Sequence, residues 1–288
     1  MRIAVTGARG QLGAAIVHEF AAGHDVLPLG SNDLDISDDD AVKATMERLR
    51  PDVIINCAAY NDVDGAEDHP IDALNVNAFG VRALAASAAA IDAVLVHYST
   101  DFVFDGTATA PYTEGDRPDP RSVYAASKLL GEWFAADARR WYVLRVESLF
   151  GHATGARRPK GSVAGIMKKL MAGEEARVFE DRTVSPTHVL DAAHATRQLL
   201  ETDAPTGLYH CVNSGYCTWL EFARELARQL RVEPKLAPVS VAHVPLRAQR
   251  PQYCALSNQK LLSVGVAMPS WQDGLRRCLA TDGHDLAG

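Results

Sequence analysis

Arg2-Ile-Ala-Val-Thr6 is a short β-branched run that passes straight into Gly7-Ala-Arg-Gly10-Gln-Leu-Gly13, and from Gln11 to Phe20 the apolar residues recur at helical spacing. A strand that ends in three glycines spaced three apart and opens directly into a helix leaves few folds available. Glycines permit a tight turn and close backbone approach, and the helix N-terminus offers free amides to an anion such as the pyrophosphate of a dinucleotide. Gly7, Arg9, Gly10, Gln11, Leu12 and Gly13 are therefore candidate cofactor contacts. A glycine pattern alone also fits a purely structural turn, so the rest of the chain has to decide.

The rest continues the alternation. Asp25–Leu29 reads as a second strand, with Pro28 suggesting that it ends near there. Asp38, Asp39 and Asp40 suit the first turn of a helix running to about Leu49. Val53–Asn56 is a strand without polar alternation, as expected when both faces are covered. A helix from about Pro70 to Ala90, a strand Ala93–Tyr98, a Gly, Pro and Asp-rich loop over 101–121, a helix Val123–Ala136 and a strand Tyr142–Val146 follow. This order predicts an α/β fold, a Rossmann-like doubly wound parallel sheet. Beyond Gly151 come a basic loop (Arg157, Arg158, Lys160), a helix, a strand Ala176–Phe179, a helix near 188–200 and Pro-rich segments around 234–251. The expected division is a dinucleotide-binding domain over 1–150 and a smaller substrate-binding lobe over 151–288, with some elements returning to the sheet.

A net charge of -7 disfavours a nucleic-acid partner. The five cysteines are scattered with no CxxC pair, which argues against disulfides and leaves no metal-ligand pattern, so no metal is expected. No charged segment followed by a long apolar stretch opens the chain, and the run Ala83–Leu95 is broken by Ser87 and Asp92. A cytoplasmic chain without a membrane partner is the expectation, with a homodimer as the default assembly.

Chemistry enters at Tyr124-Ala-Ala-Ser-Lys128. Positions four apart share a helix face, so the phenol and the ammonium can converge. An ammonium beside the phenol, together with the positive nicotinamide, would stabilise the phenolate, lower its pKa and make Tyr124 a usable general acid for a carbonyl under reduction. His97-Tyr98-Ser99-Thr100-Asp101 ends the preceding strand, where open parallel sheets place their ligands. Thr100 can donate to a substrate carbonyl, and Ser99 is the competing assignment. Asn56-Cys57-Ala58-Ala59-Tyr60 ends a strand in small residues that would admit a ribose. Asn77 sits mid-helix, where Asn is mildly unfavourable, and fits either a polar role near the proton relay or a solvated face. The second strand ends in Gly30-Ser31-Asn32 with no acid, which with Arg9 favours NADPH, NADH being the alternative because Asp33 and Asp35 lie close by.

With these residues in place the chain resembles the extended short-chain dehydrogenases/reductases, and within them the dTDP-4-dehydrorhamnose reductases. The similar stretches are GARGQLG at 7–13, RPDVIINCAAYNDVDGAE at 50–67, HYSTDFVFDG at 97–106, PYTE at 111–114, YAASK at 124–128, SPTHVLD at 185–191, GLYH at 207–210, WLEFARELA at 219–227 and RPQYCAL at 250–256. The resemblance implies reduction of the C4 ketone of a nucleotide-linked 6-deoxy-4-keto sugar, with Thr100, Tyr124 and Lys128 catalytic. It places Gly10, Gln11, Leu12, Asp35, Ile36, Ala58, Ala59, Tyr60, Tyr98 and Lys128 at the cofactor, and Thr100 and Asp101 at the sugar.

Two departures fall on the implied sugar wall. Where the family reads RTSWVYG this chain reads Arg145-Val-Glu-Ser-Leu-Phe-Gly151, so Ser148 replaces a Trp, and Arg182 stands where a Gln is common. A 4-ketoreductase of another deoxysugar pathway is therefore one alternative. An epimerase or dehydratase is a second, although Phe102 follows Asp101 where a dehydratase would be expected to carry Glu. A non-catalytic NADP-binding subunit, similar to the regulatory subunit of methionine adenosyltransferase, is a third. Lys168, Lys169, Arg182 and the basic loop are equivalent candidates for the substrate's diphosphate.

Overall fold

The computed structural model describes residues 1–153 and 161–281; Arg157, Arg158 and Lys160 lie outside them. The first half runs β1 (Arg2–Thr6), α1 (Gln11–Phe20), β2 (Asp25–Leu29), α2 (Asp39–Leu49), β3 (Val53–Asn56), α3 (Gly65–Asp68), α4 (Pro70–Leu74), a π-helical turn (Asn75–Phe79), α5 (Gly80–Ile91), β4 (Val94–Thr100), α6 (Val123–Ala135) and β5 (Arg140–Val146). The second half runs β6 (Leu149–Phe150), α7 (Ser162–Met171), β7 (Ala176–Phe179), β8 (Thr183–Val184), β9 (Thr187–His188), α8 (Val189–Glu201), β10 (Gly207–His210), β11 (Cys217–Thr218), α9 (Trp219–Leu230), β12 (Leu236–Val239), α10 (Gln259–Ser263) and α11 (Trp271–Thr281).

Six strands form one sheet in the order β10-β5-β4-β3-β1-β2, parallel throughout. Residues alternate between its faces. Ile3, Val5, Val53, Ile55, Val96 and Leu144 pack under α1 and α8, whereas Ala4, Ile54, Leu95 and Val143 pack under α2 and α5. Burial on both faces explains why β3 and β4 show no polar positions facing solvent. β2 continues through Pro28 to Leu29 instead of stopping before it, because it is an edge strand and the missing amide faces outward.

The chain leaves β1 for β2 on one side and reaches β3 on the other. The carboxyl ends of β1 and β3 therefore diverge at a topological switch point, where doubly wound sheets open a crevice. Gly7 turns there at φ +64°, and a Cβ on it would lie 2.6 Å from the Ala58 amide nitrogen. The turn thus closes directly onto the end of β3.

The helical run Pro70–Ile91 is the one described segment whose length and apolar composition would allow a membrane crossing, but half of it is buried inside the molecule, where α5 packs against α2 and α6. A third core gathers Phe150, Ile166, Leu170, Val178, Trp219, Phe222, Trp271 and Leu275 from the second half. Its small sheets pair β7 with β12, β8 with β11 and β6 with β9. β12 passes through Pro238, so part of the Pro-rich region is a strand. β10 and α8 return to the large sheet, beside β5 and over α1 respectively.

Candidate active site

β4 extends two residues beyond its expected end, which carries Ser99 and Thr100 to the carboxyl edge of the sheet. Their hydroxyls part there. Ser99 donates to Glu132 Oε1 at 2.5 Å, and that carboxylate also receives the buried Arg145 guanidinium in a bidentate pair. Thr100 donates to Asp101 Oδ1 at 3.0 Å and lies beside the Tyr124 phenol. Of the two candidates, Thr100 is the one beside the tyrosine.

Tyr124 and Lys128 occupy the first turns of α6, which Ser122 caps by accepting from the Ala125 amide. Both side chains are buried. Burial and the neighbouring Asp101 push the Tyr124 phenol up, with Thr100 acting in the opposite sense. The lysine donates to the Tyr98 carbonyl at 2.6 Å, and burial lowers it to about 8 although Glu132 favours its charge.

Behind Thr100 lies a polar cluster that the sequence did not disclose. Asp101, Glu147 and Cys254 each place one ligand-type atom within 4.8 Å of the others, all buried. Burial raises Asp101 to about 6 and holds Glu147 well above the carboxylate range, each opposed by Arg182. Arg182 is buried between Pro251 and Cys254, and its guanidinium lies 5.2 Å from the Phe102 ring, which meets Tyr124 edge-on. Phe102 does follow Asp101, but a second carboxyl stands beside Asp101 all the same, contributed by Glu147 at the end of β5. No signal of spacing could have found it, because the pair is joined by sheet topology. Ser148, next to it, takes φ +45°, a conformation rare outside glycine.

At the glycine turn, α1 begins at Gly10 with no side-chain cap, so its first amides remain open to an anion. Gly10 has φ −74°, and a Cβ there would meet only the Gly7 carbonyl, at 3.2 Å. Packing therefore does little to require glycine at this position, and the open side of the turn suits a diphosphate. Gly13 is structural, since its Cβ would lie 2.2 Å from Gly7 O. Leu12 is in the core, and Gln11 donates to Gly151 O at 2.6 Å. Arg9 lies across the tip of β2, paired with Asp33 at 3.8 Å over a hollow of about 350 Å³.

The other expected cofactor positions divide. Ala58, Ala59 and Tyr60 line the end of β3, and Asn77 fastens them: it bonds the Tyr60 amide and carbonyl at 2.9 and 3.1 Å and Ser127 at 3.0 Å. Fully buried in the π-turn, Asn77 occupies no solvated face; it ties the β3 loop to α6, and π-turns recur at functional sites. Asp35 is exposed and accepts from Ser37, which keeps its carboxyl below the usual range. Ile36 is buried under Gly80 in the core. The Tyr98 side chain points away, its hydroxyl 2.5 Å from Thr196 on α8.

In the second lobe a cleft of about 360 Å³ is lined by Lys169, Arg177, Phe179, Trp219 and apolar residues of α7 and β12. Lys169 lines it and Lys168 does not. Arg177 and Phe179 were not anticipated.

The chain matches the family described as the RmlD substrate binding domain over residues 1–283. It is 37% identical to the dTDP-4-dehydrorhamnose reductase of Mycobacterium tuberculosis, over 99% of this chain and 95% of that protein. Among solved structures it is similar to a dTDP-4-dehydrorhamnose reductase from Clostridium acetobutylicum (TM-score 0.92, 32% identity, covering 98% of this chain and 100% of that one). It is also similar to the Bacillus anthracis enzyme in complex with NADP (TM-score 0.91, 33% identity, covering 97% and 99%).

Proposed function

The chain belongs to the RmlD substrate binding domain family, within the extended short-chain dehydrogenases/reductases, and from that premise we propose that it is a cytoplasmic, NADPH-dependent reductase taking dTDP-4-dehydro-L-rhamnose to dTDP-L-rhamnose. The observation that carries the reading is the Thr100 hydroxyl beside the Tyr124 phenol at the carboxyl edge of the sheet, with Lys128 buried against β4.

The uncapped start of α1 would hold the cofactor's diphosphate, Ala58 to Tyr60 would border its ribose, and Arg9 would face a 2′-phosphate. When bound, the cofactor supplies the hydride. Tyr124 stays protonated at neutral pH because burial and Asp101 disfavour its phenolate. An alkoxide is a much stronger base than a phenolate, so the phenol still gives its proton readily to a ketone oxygen under reduction. Thr100 donates to the same oxygen and orients it. Lys128 holds the end of β4 in register with α6. Asp101, Ser148 and Arg182 border the sugar in this reading, and the cleft with Lys169 and Arg177 takes the nucleotide diphosphate, residues 1–150 serving the cofactor and 151–288 the substrate.

The test is NADPH oxidation with the dTDP-4-keto-6-deoxy sugar, with NADH alongside and the product identified. Formation of dTDP-L-rhamnose is expected. NADPH binding without oxidation of this substrate would sink the reading.

A further inference from the structure

Asp101 follows β4 and Glu147 follows β5, and the two side chains, 3% and 2% exposed, bring one oxygen of each within 4.8 Å of the other. Asp101 Oδ2 and Glu147 Oε1 are buried with no hydrogen-bond partner among the described residues. Glu147 Oε2 accepts from the Ser185 amide at 2.6 Å and Asp101 Oδ1 from Thr100. The groups facing the pair are Tyr124, Tyr253, Cys217, Cys254 and Arg182. The phenols and thiols are neutral, so among the described residues Arg182 is the one cation opposing two carboxyls, and its own hydrogen bonds go to Pro251 O and Cys254 Sγ. Two ionised carboxylates here would leave an unbalanced buried negative charge, which a shared proton removes.

We propose that Asp101 and Glu147 hold one proton between them, and that this pair reloads Tyr124 through the Thr100 hydroxyl after each turnover. The inference rests on the reductase reading for its second half only. The bonds balance. The Tyr124 O–H breaks as the product O–H forms; the Thr100 O–H breaks as the Tyr124 O–H is restored; the Asp101 O–H breaks as the Thr100 O–H is restored. The pair then takes one proton from solvent, and no group is oxidised or reduced. Glu147, the more strongly raised of the two, is in this scheme a positioning residue: it holds the proton at rest and acts only through Asp101, to which the proton passes as Thr100 draws on it.

The first experiment is infrared spectroscopy of the purified protein at pH 7. A protonated-carboxyl C=O stretch is expected in the wild type and its loss in Glu147→Gln, where Asp101 ionises against Arg182. No such band in the wild type, or a divalent ion retained in place of the proton, overturns the shared proton. The second experiment is rapid mixing with NADPH and the dTDP-4-keto sugar. Glu147→Gln should keep the first turnover but lower steady-state kcat by roughly tenfold, and move the alkaline limb of the kcat profile down by about one pH unit or more. Equal loss in both phases, or an unmoved limb, overturns the relay. Absence of turnover in the wild type would overturn the reductase reading and the relay with it, while the infrared band, which needs no variant to be seen, still decides the shared proton.

Discussion

Lys128 Nζ donates to the Tyr98 carbonyl at 2.6 Å, while the Tyr98 hydroxyl is bound to Thr196 on the other face of the sheet. One residue of β4 is thereby fixed to α6 above the sheet and to α8 below it. The tyrosine and threonine flanking this point are held in place by a bond that has nothing to do with the phenol directly.

Lys128→Met leaves that buried carbonyl without its donor and should destabilise the fold by about 1–3 kcal/mol near neutral pH. Burial lowers Lys128 to about 8 from 10.5, so the unfolded chain binds more protons between those values and the lysine's contribution to stability rises with pH across that window. Denaturant titrations of both proteins from pH 7 to 10.5 should show this rise in the wild type relative to the variant. Parallel curves would remove the shift.

Tyr124→Phe should retain NADPH affinity and lower kcat by about 10²–10⁴, the range for losing a general acid. Steady-state turnover and a fluorescence titration of NADPH check the two halves separately. Turnover near that of the wild type would exclude the phenol as donor.

The glycines of the turn should fail differently. Gly7→Ala combines φ +64° with a Cβ 2.6 Å from Ala58 N, and should cost about 2 kcal/mol or more of stability. Gly10→Ala should melt near the wild type yet lose at least about tenfold in NADPH affinity, because its methyl occupies the approach to the helix amides. Thermal melts and binding titrations distinguish them; a Gly10 variant that binds normally would mean that no diphosphate comes close there.

Arg9→Ala should weaken NADPH by about tenfold and leave NADH nearly unchanged, the loss of one charge-assisted phosphate contact. The ratio of kcat/KM for the two cofactors reads it. An unchanged ratio would show that Arg9 serves only its ion pair with Asp33.

The first half of the fold was legible because its strands and helices are long enough for periodicity: β1, α1 and β3 run where the apolar pattern puts them. The second lobe was less so. β6, β8, β9 and β11 are two residues each, too short to show alternation, and β12 is hidden by Pro238. Tyr124 and Lys128 announced themselves by spacing and Thr100, with Ser99 as its rival, by its place at a strand end, whereas Glu147, Cys254 and Arg177 depend on where distant loops return. Asn77 gave a true signal, a polar residue at an unfavourable helical position, but its π-turn and its bonds to Tyr60 and Ser127 had no local cue. The acceptor of Lys128 had no local cue either, because helix spacing shows which residues share a face and not where a four-carbon side chain finds its acceptor.

The hydrogen bond from Gln11 to the Gly151 carbonyl joins the glycine turn to the residue that follows β6, whose Phe150 belongs to the third core. A contact of this kind is worth about 1 kcal/mol, enough to make two binding events cooperative by several-fold. Cooperativity of this sort is reciprocal: whatever factor NADPH adds to the affinity for a dTDP-linked ligand, that ligand must return to NADPH. Gln11→Leu should abolish this mutual gain, measured by calorimetry with each ligand alone and with both, and a gain that survives the substitution would mean that the two halves communicate elsewhere.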